Sequence, residues 1–349
     1  MQKSLAIIFS ISALVMLLVS FVNEPAKKSL RKLYSRHPST WPKPAVIPGV
    51  NWIELGPLPT SPFANLDSLK HLQGLGAALF FDHRLSGSGK ISCATCHSPE
   101  LSWTDRRELS AGHEGASTKR NSPTIQNVWF YDSLFWDGRS KSLEDQAFSP
   151  INSESEMHGD MPGLSGRLKK IQGYAALFDS AFGDPDIEPD RITFALAAFQ
   201  RTITSSESRF DKFLKGDKKA LTDSELRGLH IFRTKANCMN CHHGPLFTDN
   251  SFHNNGFAGK DVGLFFVTHL EGDRGKMKTP SLRDVMFTGP WMHDGKQTRM
   301  EDIITIYGKG GNIPHLHGFS TAGTVLNDLE NFLNAISAPP LPFRKPRLP

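Results

Sequence analysis

Cys93-Ala94-Thr95-Cys96-His97 and Cys238-Met239-Asn240-Cys241-His242 hold all four cysteines of this 349-residue chain, and each pair runs directly into a histidine. Two residues between the thiols put both sulfurs on one edge of a planar ring, with the histidine beneath its centre. That is the pattern for attaching a c-type haem: the thiols add to the two vinyl groups and the imidazole becomes an axial iron ligand. A four-cysteine zinc site would use the same pairs but needs no histidine in step with both. A redox C-x-x-C would sit between a strand and a helix, a context missing here. A disulfide within C-x-x-C would be strained. Two covalently bound haem c groups are expected, with His97 and His242 as iron ligands.

Outward from the motifs, the chain repeats itself. Pro123-Thr124-Ile125-Gln126-Asn127-Val128, Trp136-Asp137-Gly138-Arg139 and Leu143-Glu144-Asp145 match Pro280-Ser281-Leu282-Arg283-Asp284-Val285, His293-Asp294-Gly295-Lys296 and Met300-Glu301-Asp302 at a constant offset of 157. The cysteine pairs are offset by 145, so the second copy carries about 12 more residues between its parts. A duplicated domain follows. Ser68 to Phe81 has apolar residues at 69, 72, 75, 79 and 80, a helical spacing. Thr222-Asp223-Ser224-Glu225 is a capping box opening Leu226 to Phe232. Arg191 to Ile203 and Asp328 to Ile336 also read as helices, and strand-like alternation is nearly absent. The expected fold is mainly α, two tandem cytochrome c-like haem domains with long loops, over residues 63–216 and 217–349.

Composition sets outer bounds. Hydrophobic residues are 38% and charged residues 21%, which suits a globular protein with a core and excludes disorder and collagen. A net charge of +5 is too small to argue for a nucleic-acid partner. Residues 1–22 read as a signal peptide or N-terminal membrane anchor, with Lys3 ahead of an apolar run from Leu5 to Val22 broken only by Ser10, Ser12 and Ser20. Lys27, Lys28, Arg31 and Lys32 oppose export of that flank, yet bacterial haem attachment requires export. A periplasmic location is expected, the protein being soluble or tethered by an uncleaved anchor. Residues 23–62, rich in Pro, Ser and Trp, read as an extended tether.

Over about residues 65 to 340 the chain resembles the bacterial dihaem cytochrome c peroxidases and their MauG-like relatives. The resemblance rests on the two C-x-x-C-H motifs, Phe135-Trp136-Asp137-Gly138-Arg139, Asn152 to Met157, and Pro290-Trp291-Met292-His293-Asp294-Gly295. It implies that the first haem meets hydrogen peroxide and the second passes electrons to it. His113, in Ser110-Ala111-Gly112-His113, matches the displaceable distal histidine of the peroxidases. Glu156 matches the family's catalytic glutamate, a carboxylate placed to move a proton between the two peroxide oxygens. Gln146 lines the same pocket in this reading, and Trp136 falls between the haems.

For the sixth ligand of the second haem, peroxidases use methionine and MauG-like enzymes tyrosine. The corresponding segment here, Ile304-Thr305-Ile306-Tyr307-Gly308, points to Tyr307, with Met277, Met286, Met292 and Met300 as rivals. A phenolate favours ferric and higher-valent iron, where a thioether favours reduced iron. The family also binds calcium between the haems; Asn121, Thr288 and Pro290 match its ligands, an amide and two backbone carbonyls, which suit a hard cation.

The implied activity is an exported dihaem c-type peroxidase reducing hydrogen peroxide with electrons from a small cytochrome c or copper protein. The alternative is a MauG-like enzyme whose peroxide-derived high-valent haems oxidise residues of a partner protein. A pure dihaem electron carrier is a third reading, opposed by Glu156. Pairing as a homodimer is left open.

Overall fold

A computed structural model describes residues 30–64, 66–310 and 317–349. The apolar segment expected to direct export lies outside the described residues. Among those described, no helix is long and apolar enough to cross a membrane.

The described chain is mainly helical. In the first copy, α1 (Lys70–Phe81), α2 (Leu143–Asn152), α3 (Met161–Lys169), α4 (Tyr174–Phe182) and α5 (Pro189–Gln200) surround one core. A short helix, α6 (Arg209–Leu214), leads into the second, where α7 (Asp223–Thr234), α8 (Met300–Gly308) and α9 (Val325–Ala335) surround another. Among the described residues, strand is confined to Phe252–His253 paired antiparallel with Met277–Lys278. The expected helices are present within a few residues of their expected ends. Ser142 caps α2 by accepting from Asp145 N–H at 3.1 Å, and Thr222 and Glu225 form the expected capping box on α7.

The repeat reaches down to backbone conformation. Asn127 and Asp284 both take the left-handed region, at φ 59° and 58°, as do Phe135 and Met292 at 65° and 69°. The bridge Leu134–Ser140 recurs as Trp291–Gln297. Each copy also crosses its first and last helices through a glycine. A Cβ on Gly76 of α1 would lie 1.9 Å from the Ala195 carbonyl oxygen of α5, and one on Gly228 of α7 equally 1.9 Å from that of Asp328 on α9. Only hydrogen fits between backbones at that separation.

Two expectations about domain limits give way. Residues 30–62 are largely extended but do not hang free. Tyr34, Trp41 and Leu55 are 0%, 6% and 1% exposed within the second core. Buried Arg233 ion-pairs with Glu54 and donates to the Pro42 carbonyl at 2.6 Å. A reading based on proline spacing misses such isolated apolar anchors. Nor do the cores divide near 216: Phe210 and Phe213 pack into the second, while Phe343 packs back onto the first.

Candidate haem and peroxide site

The first motif opens onto a cavity of about 630 Å³ whose wall includes Cys93, Cys96 and His97. Ser92 precedes the single helical turn Cys93–Cys96, its backbone N–H donating to Thr95 Oγ1 at 3.0 Å. None of the four cysteines is in a disulfide. His97 Nδ1 bonds to the Trp103 carbonyl at 3.1 Å, and His242 Nδ1 to the Phe247 carbonyl at 2.9 Å. As donors there, both rings keep Nε2 free for a metal. Burial lowers the pKa of both imidazoles, favouring the neutral, metal-binding form. Thiol pair, oriented imidazole and a cavity of ligand size together fit a covalent haem.

Trp136, Gln146, Glu156 and Asn121 line the same cavity, so four of the expected residues converge on the His97 motif. Burial raises the Glu156 pKa, against a smaller opposing pull from the Arg139 guanidinium. Arg139 lies on Asp137 at 3.0 Å, and Asp137 also holds Arg120 at 2.6 Å. Trp136 Nε1 donates to the Asn121 carbonyl at 3.0 Å.

His113 stands apart from this group. The cavity wall runs through Gly112, while the His113 ring stacks on His158 with centroids 4.3 Å apart. Its backbone N–H donates to the Glu156 carbonyl at 2.8 Å. Gly112 makes that approach possible: a Cβ there would meet the Ser155 carbonyl oxygen at 2.0 Å. The distal-histidine loop and the glutamate loop are thus one packed unit.

At the second motif, the Tyr307 hydroxyl oxygen accepts from Asn255 Nδ2 at 2.9 Å. Burial raises its pKa, with added effect from the nearby Cys241 and Cys238 thiols. Of the rival methionines, Met300 lies in the second core, at the position equivalent to buried Leu143 of the first. Thr288 and Pro290 lie five and three residues before His293, to which Asn121 bonds. Asn121 N–H donates to the His293 carbonyl at 2.8 Å, and its Nδ2 to the Arg107 carbonyl at 2.8 Å. Its Oδ1 and the carbonyls of Thr288 and Pro290 have no donor among the described residues.

Two residues escaped the sequence reading. Lys278 lines the first cavity, is buried, donates to Asn250 Oδ1 and lies 3.9 Å above the Tyr131 ring. Arg120 joins Asp137 of its own copy to Asp261 of the other. A lone Lys or Arg gives no periodic signal; Lys278 is marked only by its place two residues before the repeated Pro280.

Fold and site thus define a tandem dihaem protein of the c type. The family profile of di-haem cytochrome c peroxidase matches residues 70–219. The chain is 40% identical over 285 residues to the methylamine utilization protein MauG of Methylophilus methylotrophus, covering 79% of this chain and 85% of that protein. It is 35% identical over 337 residues to cytochrome-c peroxidase IdrP1 of Pseudomonas sp. (strain SCT), covering 84% and 89% respectively. A solved MauG-like protein associated with microbial copper homeostasis aligns with a TM-score of 0.71 at 30% identity, covering 84% of this chain and 96% of that one. The chain belongs to the dihaem cytochrome c peroxidase and MauG-like family, and is an oxidoreductase of that type with two haem c groups.

Proposed function

We propose that the protein reduces hydrogen peroxide to water in the cavity beside His97, with electrons from a small cytochrome c or copper protein. The observation that carries this is the convergence of Glu156, Gln146 and Trp136 on the wall that holds Cys93, Cys96 and His97. When bound there, haem supplies the iron that meets peroxide and the electrons that reduce it. The protein's own part is proton handling and positioning. Burial raises the proton affinity of the Glu156 carboxylate, so its ionised form would take a proton from one peroxide oxygen and return it to the other. Trp136, fixed by its bond to the Asn121 carbonyl, would relay electrons arriving from the second motif. Stacked on His158, His113 stays off the cavity wall; a turn of this loop toward the cavity would make it the residue to hold the iron's distal side.

Steady-state peroxide consumption with a reduced small cytochrome tests the proposal. Turnover supports it. A long-lived spectral change after peroxide, without donor oxidation, would instead favour oxidation of residues in a partner protein. The Tyr307–Asn255 bond speaks for that second reading, because an amide N–H on the phenol oxygen stabilises a phenolate ligand.

We further propose one calcium ion at Asn121 Oδ1 and the carbonyls of Thr288 and Pro290. Three oxygens without donors among the described residues suit a hard cation completed by water. Export to the periplasm is the location that covalent haem attachment asks for, and residues 1–22 have the composition to direct it.

A further inference from the structure

We infer that each copy's tail, the segment after its last helix, positions the proximal histidine of the other copy: Phe343 acts on His97 through Trp103, and Phe210 on His242 through Phe247.

The carbonyls that orient both histidines sit on strained backbone. Trp103 has φ 59° and Phe247 φ 54°. Bulky residues seldom adopt this left-handed region, and packing has to hold them there. In each copy three aromatic rings do so. Trp103 lies 6.0 Å from Phe80, 6.0 Å from Phe199 and 5.2 Å from Phe343. Phe247 lies 6.1 Å from Phe232, 6.2 Å from Phe332 and 5.8 Å from Phe210. Phe80 and Phe232 come from the glycine-bearing first helices, and Phe199 and Phe332 from the last. In both clusters the nearest ring is the one that arrives from the other copy's tail.

The exchange is reciprocal in sequence. Phe199 and Phe332, Ile203 and Ile336, and Phe210 and Phe343 share one offset of 133. The tails leave their helices alike: Ser205 N–H donates to Asn127 Oδ1 at 3.1 Å, and Ala338 N–H to Asp284 Oδ1 at 2.8 Å. They then cross where Ser206 Oγ donates to the Pro339 carbonyl at 3.0 Å. Ser206 and Pro339 are equivalent by the same offset, so the crossing lies where a two-fold relation between the copies requires it. The two tails differ in setting. Phe210 sits fully buried in capped α6, whereas Phe343 rides a proline-rich surface strap held by Lys345–Glu100 at 3.1 Å and Arg84 to the Pro349 carbonyl at 2.9 Å.

A bond from imidazole N–H to a fixed carbonyl raises the basicity of the ligating nitrogen. Removing the ring that braces the carbonyl weakens the bond, and the weaker donor favours reduced iron. The inference rests on His97 and His242 as iron ligands; His97→Ala, which should abolish the six-coordinate or high-spin signature of the first haem alone, tests that separately. The experiment is a potentiometric titration of the holoprotein, with electron paramagnetic resonance resolving the two haems. Phe343→Ala should raise the potential of the haem on Cys93 and Cys96 and leave the other unchanged. Phe210→Leu, chosen because that ring is fully buried, should do the reverse. Phe343→Trp should restore the original potential. A Phe343→Ala protein with native circular dichroism in which neither potential moves, or both move equally, would overturn the inference.

Discussion

The backbone N–H of Lys278 donates to the carbonyl of Trp136 at 2.9 Å, and the equivalent pair 157 residues away, Asn121 N–H to the His293 carbonyl, repeats the bond at 2.8 Å. Each copy thus grips the Trp/His-Asp-Gly turn of the other. The same equivalence sets Lys278 opposite Asn121 and Tyr131 opposite Thr288. Where the proposed calcium would sit on one side, the other side carries its own cation, the Lys278 ammonium 3.9 Å above the Tyr131 ring.

That ammonium has a testable pH signature. Burial pushes its pKa down to about 8 from 10.5. The unfolded chain therefore binds more protons across that window, so this group favours folding as pH rises through it and costs stability as pH falls back toward 8. The difference in thermal midpoint between the wild-type protein and Lys278→Met should rise from pH 7 to pH 10. A flat difference would count against a buried, titrating Lys278.

Gly76 and Gly228 should be intolerant of a single methyl. Gly76→Ala and Gly228→Ala each push a Cβ to 1.9 Å from a backbone oxygen, so the helices must part, at a cost of about 1–3 kcal/mol or more. Gly74 lies on the same helix as Gly76, but a Cβ there would have nothing within 4 Å, and Gly74→Ala should stabilise by roughly 0.5–1 kcal/mol. Denaturant titration of the three variants checks the contrast.

What the sequence made legible follows from how locally each feature is specified. The haem motifs compress thiols and imidazole into five residues, and the repeat from Pro123 and Pro280 preserves identity across three segments. Gly76 and Gly228 are equivalent at an offset of 152, but one residue in a helix carries no pattern. Phe210, in the short α6, and Phe343 lie past the last long helix of their copies, and only the cores they enter reveal that they exchange. His113 was legible as a residue and not as a position, because its place is set by Gly112 against Ser155 and by stacking on His158.

Gly112→Ala should therefore act through Glu156. A Cβ meets the Ser155 carbonyl oxygen at 2.0 Å and Glu156 Cα at 2.9 Å, which displaces the carboxyl from the cavity. Peroxide turnover should fall at least about tenfold with haem content unchanged, a loss on the scale of misplaced acid–base catalysis. Unaltered turnover would separate the two loops.

Tyr307→Phe and Asn255→Leu test the second haem from two sides. The first removes the phenol oxygen, and the second only the amide that donates to it at 2.9 Å. Electron paramagnetic resonance of the second haem should change outright in Tyr307→Phe and shift partially in Asn255→Leu. If neither variant alters that signal, Tyr307 is not the ligand.

Glu156 carries the sharpest prediction because its charge state is set by two opposed neighbours. Burial raises its pKa and the Arg139 guanidinium lowers it. Glu156→Gln keeps the shape but cannot accept a proton, so turnover should drop by roughly 10² to 10⁴ with haem spectra unchanged. Arg139→Gln removes the cation that favours the carboxylate, so the Glu156 pKa rises further. A general base must be deprotonated to act, and the acid limb of the pH–rate profile should move to higher pH in that variant. Arg139 also bonds Asp137 at 3.0 Å, so Arg139→Lys, which keeps the charge, serves as control and should leave the limb nearer its original position. An acid limb that stays fixed in Arg139→Gln would assign the titration to another group.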